Sequence, residues 1–306
     1  MKILLEATGS LTSGYLIKAV KQTNFIVVGS DINEFNHGKY LCDEFITMPK
    51  ADDENLWMKI ENILIEKNIN VVIPSLDETL LGWAERKDYF KSLGIEVVIS
   101  PKDTIETFQD KWKTHLFFSQ NNINTPKTSL KPVFELLKPR FGRGGKGIVK
   151  NDYKNVDMTG NISQEKVSGN EYTVDILFSK DGEPIYIVPR LRIDVKDGKS
   201  TKGIVIRNQK IDNLIEDISK KIKFIGPVNF QLFETPEGEL VMIEVNPRIA
   251  GGMALGFAAT ENWIRIIIEN IVLNNKIDQN KLKSIRYGLK MVRYYEEFFI
   301  SPDKME

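Results

Sequence analysis

The stretch VNFQLFETPEGELVMIEVNPRIAGG, residues 228–252, leaves its chain few ways to fold. Two runs of strand-forming residues flank TPEGE, a tight-turn composition, so they pair as an antiparallel hairpin. Side chains two apart on a strand share a face. Glu244 and Asn246 therefore point the same way, and the hairpin brings Gln231 of the first run near both. An apolar strand rarely hides Glu and Asn on one face without a partner for them. One carboxylate and two amide oxygens suit a hard cation such as Mg²⁺, which keeps waters and phosphate oxygens as its other ligands. Arg248, just past Pro247, adds a charged fork within reach of a phosphate or an activated carboxylate. Glu234 and Glu239, nearer the turn, are expected to face solvent. The alternative is a half-buried hairpin whose polar residues merely meet water.

About a hundred residues upstream, LLKPRFGRGGKGIV (136–149) sets Lys138 at the end of an apolar strand, followed by Gly142, Gly144, Gly145 and Gly147 with Arg143 and Lys146 among them. Glycines let the main chain approach phosphate oxygens closely, and the cations offer charge against a triphosphate. No Gly-Lys-Ser/Thr ending follows, so this is not a Walker loop. Alone, the run reads equally well as a solvated hairpin turn.

The first hundred residues alternate short β-branched runs (KILLE, FIVVGS, VVIPS, IEVVIS) with helical patterns at 11–20, near 56–66 and near 80–89. Such alternation predicts a parallel sheet wrapped by helices, with ligands at the carboxyl ends of its strands. ATGSLTSG, carrying Gly9 and Gly14, lacks the GxGxxG spacing and reads as a tight strand-to-helix turn without a dinucleotide. Beyond Pro101 a helix over 111–118 leads into an α+β half. There EYTVDILFS, PIYIVPRLRIDV, VNFQLFE and ELVMIEV have the composition of an antiparallel sheet, and an apolar helix spans roughly 262–273. The fold class is thus α/β followed by α+β.

Composition narrows the partners. Forty-two basic residues balance forty-two acidic ones with no basic stripe, which argues against nucleic acid. No apolar run reaches the roughly 18 residues of a membrane span, and the short apolar start is no signal peptide, so a cytoplasmic protein is expected. Cys42 stands alone, and with only His37 and His115 a soft-ligand metal site is not expected. Any metal should be held by oxygen.

The combination of KPRFGRGGKG, EKVSGNEYTVD and QLF…IEVNPR resembles the ATP-grasp superfamily, and in particular the branch containing the carbamoyl-phosphate synthase large-subunit domains and their short, single-copy relatives. The resemblance covers nearly the whole chain. It implies a Rossmann-like domain at 1–100, a small α+β subdomain with a glycine-rich lid at 101–167, and a large subdomain carrying the metal hairpin at 168–306. By the same resemblance, Lys111 and Lys138 contact ATP phosphates and the loop from Phe141 to Gly147 covers them. Glu165 and the main chain of Lys166 and Val167 hold adenine, and Glu171 binds the ribose hydroxyls. Gln231, Glu244 and Asn246 are the magnesium set, which Mn²⁺ would also fit. Gln231 replaces the acid found in many other ATP-grasp ligases, which leaves one charge fewer for a second ion. Lys202, in Ser-Thr-Lys-Gly, sits where the related synthases place a polar γ-phosphate contact; an exposed lysine is the other reading. Asp110 resembles an N-terminal helix charge.

The activity so implied is carboxylate–amine ligation: Mg-ATP activates a carboxylate as an acyl phosphate, and an amine attacks it. Arg248 and the N–H groups of Ala250 to Gly252 would stabilise the oxyanion. The rival readings are a phosphotransferase and a non-catalytic nucleotide-binding subunit. Partners are expected to be a small carboxylate and a small amine, with a homodimer as the assembly.

Overall fold

A computed structural model of the chain describes residues 1–142, 145, 147–150, 156–196, 199–294 and 296–301. Arg143, Gly144 and Lys146 of the glycine-rich loop lie outside the described residues.

The chain begins with β1 (Lys2–Leu5), α1 (Gly14–Lys21), β2 (Ile26–Asp31), α2 (His37–Leu41), β3 (Glu44–Thr47), α3 (Leu56–Glu66), β4 (Val71–Ile73), α4 (Asp77–Glu85), α5 (Lys87–Ser92) and β5 (Glu96–Val97). The strands pair in parallel in the order β3-β2-β1-β4-β5. Both faces are covered, which is why the strands read as unbroken apolar runs. Ile3, Leu5, Val27 and Val71 pack beneath α1, while Leu4, Val28, Val72 and Val97 pack against α3, α4 and α5. The direction of winding reverses between β1 and β4, so a crevice opens at their carboxyl ends. The helix anticipated at 80–89 instead starts at Asp77 and breaks at Arg86, which takes cap geometry and lays its guanidinium over the Trp57 ring at 4.5 Å.

The second half starts with α6 (Lys102–Gln109) and α7 (Lys111–Gln120), then β6 (Thr128–Ser129), β7 (Leu136–Pro139), β8 (Val149–Lys150) and β9 (Asn161–Gln164). These four strands form one antiparallel sheet, ordered β6-β9-β7-β8. Next come β10 (Asn170–Phe178), β11 (Pro184–Lys196), β12 (Lys199–Val205), α8 (Gln209–Ser219), β13 (Gly226–Glu234), β14 (Leu240–Asn246), α9 (Ala254–Ala259), α10 (Trp263–Ile267) and β15 (Lys290–Val292). Their strands build a six-stranded antiparallel sheet, β14-β13-β10-β11-β12-β15. DGEP and TPEGE form the turns expected between β10 and β11 and between β13 and β14.

One face of the large sheet is apolar. Val174, Ile176, Phe230, Leu232 and Val245 pack there against Ile211, Ile215 and Ile218, a single stripe of α8. The other face carries Thr173, Asp175, Asn229, Gln231, Glu244 and Asn246 in register. The apolar helix anticipated at 262–273 is α10, continued through Ile268–Val272 as a wider π-helical turn. Its Trp263, Ile264 and Ile267 share a core with Leu16, Ile17 and Val20 of α1, so the parallel sheet is seated on the large one. No helix among the described residues is long and apolar enough to cross a membrane.

Candidate functional site

The β13–β14 ladder sets Gln231 directly opposite Glu244 and Asn229 opposite Asn246. Regular pairing then breaks, because Leu232 meets Met242 and Ile243 is left over. This bulge lets Met242 and Val245 both enter the core while Ile243 and Glu244 line a cavity on the other side. Gln231, Glu244 and Asn246 thus share one patch of the sheet: alternation keeps Glu244 with Asn246, and the bulge turns both to the side of Gln231, which regular pairing from the turn would set opposite Ile243. Glu234 departs from its expectation: it is half-buried and accepts the Tyr172 hydroxyl at 2.9 Å, whereas Glu239 is exposed.

That cavity is also lined by Lys111, Lys138, Phe141, Gly142, Gly145 and Gln164, and so lies between the two antiparallel sheets. Lys138 Nζ donates to Gln164 Oε1 at 2.6 Å and Lys111 Nζ to Gly142 O at 2.8 Å. Burial pulls the Lys138 ammonium below the ordinary lysine range; Glu244 opposes the shift and Lys111 adds to it. Gly147 has φ +75°, and a Cβ there would stand 2.8 Å from Pro139 Cγ, so the loop returns to β8 on a backbone that favours glycine. Asp110, almost fully buried, caps α7 through the Trp112 N–H and ion-pairs with Arg140, which fixes the start of the helix bearing Lys111.

Residues 165–169 link the two sheets. Glu165 Oε1 accepts from Lys127 N at 2.8 Å while Glu165 N donates to Lys127 O at 3.0 Å, so this residue ties the start of the linker to the backbone just before β6. Lys166 is exposed, Val167 half-buried, and Glu171, on β10, ion-pairs with Arg192. Lys202 is exposed and lies 3.5 Å from Asp194. No described contact joins it to the hairpin cluster.

Arg248 is nearly buried. Its Nε lies 2.5 Å from Asp77 Oδ1 and its Nη2 3.0 Å from Asp77 Oδ2 and 3.2 Å from Asn246 Oδ1. Burial works against its charge, but Asp77, helped by Glu244 and Glu78, more than restores it. Asp77 opens α4, at the crevice of the parallel sheet. Beneath it Glu6, at the end of β1, accepts from Ser75 N, Leu76 N, Thr79 Oγ1 and Trp83 Nε1 at 2.8–3.2 Å. Burial raises the Glu6 pKa, opposed by those bonds. The following loop is pinned from three sides. Tyr15 Oη donates to Ala250 O at 2.7 Å, Arg293 Nη2 donates to Gly251 O at 2.6 Å, and a Cβ on Gly251 would lie 2.1 Å from Thr12 Oγ1. Burial raises the Tyr15 phenol, with Asp175 adding. Of the N–H groups expected to face an oxyanion, that of Ala250 is directed at Met253 Sδ, 3.4 Å away.

In the turn after β1, Gly9 N donates to Asp31 Oδ2 at 3.0 Å, and a Cβ on Gly9 would stand 2.7 Å from that oxygen. The turn is closed by a carboxylate from the end of β2. Asp77, Glu6, Tyr15 and Arg293 were missed by sequence reasoning, because each meets the site from a distant segment. A wider groove, lined by Asn122, Lys210, Lys221 and Glu239, lies away from this cluster. It gathers no convergent set, so chemistry rather than size marks the site.

Two family descriptions match the chain. Residues 159–296 match "ATP-grasp in the biosynthetic pathway with Ter operon", and residues 3–98 match "PylC-like, N-terminal domain". The carbamoyl phosphate synthase large chain of Thermoanaerobacter pseudethanolicus is 26% identical over 290 residues, 82% of this chain and 25% of that protein. Its counterpart in Haemophilus ducreyi is 20% identical over 258 residues, 67% of this chain and 23% of that protein. The chain therefore spans about a quarter of the length of these curated relatives. Among solved structures, N5-carboxyaminoimidazole synthetase from Staphylococcus aureus complexed with ADP superposes with a TM-score of 0.70 at 16% identity, covering 90% of this chain and 78% of that one. The biotin carboxylase domain of Hydrogenobacter thermophilus 2-oxoglutarate carboxylase, a dimer with MgADP, ADP and bicarbonate, gives 0.68 at 17%, covering 85% and 66%. At such identities these likenesses speak for the fold. With both family matches and the curated relatives beside them, the chain is a relative of the ATP-grasp carboxylate–amine ligases.

Proposed function

We propose that this chain is an ATP-dependent ligase that activates a small carboxylate as an acyl phosphate and joins it to an amine, releasing ADP and phosphate. The observation that carries the proposal is the pairing of Gln231 with Glu244 beside Asn246, with Glu244 lining the cavity that Lys111 and Lys138 also line. One carboxylate and two amide oxygens on one face fit Mg²⁺, with Mn²⁺ as substitute. Among the described residues no group of three His, Cys, Asp or Glu offers a rival metal site. When bound, the cation neutralises charge on phosphate oxygens.

Lys111 and Lys138 hold the phosphates of ATP, and Phe141, Gly142 and Gly145, on the same cavity, cover them. Glu165, Lys166, Val167 and Glu171 line the nucleoside end. Arg248 orients the carboxylate and stabilises the oxyanion formed when the amine attacks. Lys202 is a further phosphate contact in this reading, reached only once Asp194 releases it. The working units are 1–100, 101–167 and 168–306. That relatives of this fold were solved with ADP or MgADP supports the reading, and the dimer of the biotin carboxylase relative supports a homodimer here. We place the protein in the cytoplasm.

A screen of amino acids, dipeptides and hydroxy or sugar acids with amines for ADP release identifies the pair. With ¹⁸O in the carboxylate of that pair, one label should enter inorganic phosphate for each amide formed. Amide formed with unlabelled phosphate rejects the acyl phosphate, and a stable phosphorylated product formed without amine favours a phosphotransferase.

A further inference from the structure

Arginine carries five N–H donors in a rigid fork. On Arg248, Nε and one Nη2 hydrogen go to Asp77, the other Nη2 hydrogen to Asn246 Oδ1, and one Nη1 hydrogen to Ile249 O at 3.2 Å. A single Nη1 hydrogen remains. An incoming carboxylate that seeks the two-pronged grip on Arg248 finds both prongs occupied by Asp77, a residue 171 positions away. The pair is nearly sealed, with side chains 9% and 20% exposed, Asp77 being the more open of the two.

Simple removal of Asp77 would strand a buried guanidinium, which is costly. Exchange of one carboxylate for another avoids that cost, since the fork keeps a counter-ion throughout. The surroundings favour such an exchange. Asp77 is the first residue of α4, where the helix dipole favours a carboxylate that has let go of Arg248. Glu6 grips the backbone of Ser75 and Leu76 just before it, so the helix start holds still while the side chain turns.

We propose that Asp77 is an exchangeable counter-ion for Arg248: the substrate carboxylate takes the fork by displacing it, and Asp77 thereby sets how tightly that substrate binds. The proposal rests on the ligase reading for the identity of the displacing group. A fixed strut, the alternative, makes the opposite prediction. Loss of a strut loosens Arg248 and weakens carboxylate binding, whereas loss of a competitor strengthens it.

The test needs no turnover, so its outcome is separable from that of the ligase reading. Acetate is titrated into ¹⁵N-arginine-labelled protein and followed at the Arg248 Nε–H resonance, assigned by its loss in Arg248→Lys. Asp77→Asn and Asp77→Ser should each bind acetate roughly fivefold or more tightly than the wild type, within the usual range of linked equilibria. Serine also starts helices well, so one variant keeps α4 intact if the other does not. Acetate affinity that is unchanged or weaker in the folded variants overturns the proposal, as does failure of acetate to perturb Arg248 in any of the three proteins.

Discussion

Asp175 and Arg190 form an ion pair sealed from solvent, with side chains 0% and 1% exposed and Nε 2.6 Å from Oδ2. Asn229 Nδ2 donates to Asp175 Oδ1 at 2.8 Å, and Asn229 stands across the ladder from Asn246. The pair is closed over by α9, since a Cβ on Gly256 would lie 2.9 Å from Asp175 Oδ2. Breaking it strands a buried charge. Asp175→Ala should therefore cost about 3–5 kcal/mol in urea unfolding. A loss below about 1 kcal/mol would mean that Arg190 finds another partner.

Glu244→Gln removes the one carboxylate charge of the metal set, and Asn246→Ala removes an amide oxygen, from a strand whose core-facing neighbours, Met242 and Val245, stay in place. Turnover with Mg²⁺ should fall roughly 100-fold or more, since even residues that only support a metal's ligands cost up to about that much. Unfolding midpoints should barely move. ADP release at the wild-type rate in either variant would remove the metal from this hairpin.

Lys138 answers to pH because burial lowers its pKa, against the pull of Glu244 and with the push of Lys111. Its ammonium is lost at lower pH than that of an ordinary lysine, and a neutral amine no longer attracts phosphate. ADP affinity measured by calorimetry should thus decline on the alkaline side. Lys138→Arg should flatten that decline, since a guanidinium stays charged. Lys138→Ala should weaken ADP about tenfold or more at neutral pH, the loss of one charge-assisted hydrogen bond. Wild-type affinity in the alanine variant would move the phosphates elsewhere.

Asp212, on α8, is pushed up to about 6, by burial first, with Glu216 adding and Arg207 opposing. Its Oδ1 is buried without a hydrogen-bond partner. The folded chain holds this proton more tightly than the unfolded one. The group's contribution is then fully present below its ordinary value of 3.8 and is lost as pH rises through about 6. Asp212→Asn should be more stable than the wild type at about pH 8, by roughly 1 kcal/mol after allowance for solvent screening, and no more stable near pH 3. Equal urea midpoints at about pH 8 would count against it.

Local pattern carried much of this architecture. Alternation sets Glu244 and Asn246 on one face and the turn chemistry at 235–239 makes the hairpin, but the pairing of Gln231 with Glu244 depends on the bulge at Ile243, which nothing in the local pattern announces; continuous apolar strands foretell a sheet covered on both faces. Pairings between remote segments escaped. Asp77 looks like an ordinary first-turn acid of α4, and only the docking of the parallel sheet onto the large one hands it to Arg248. Glu6 sits at the end of an apolar strand, where nothing in KILLE announces four donors converging from residues 75–83. The helix α8 was legible in its isoleucine spacing but went unread among strands.

The leftover Ile243 has a mechanical consequence. It lies between the Thr235–Glu239 turn and the Gln231–Glu244 pair, so it sets the register of the carboxylate end. If the regular rungs nearer the turn simply continued, Gln231 would stand opposite position 243 and Glu244 would swing to the core face. One skipped residue thereby decides on which side of the sheet the carboxylate comes to lie.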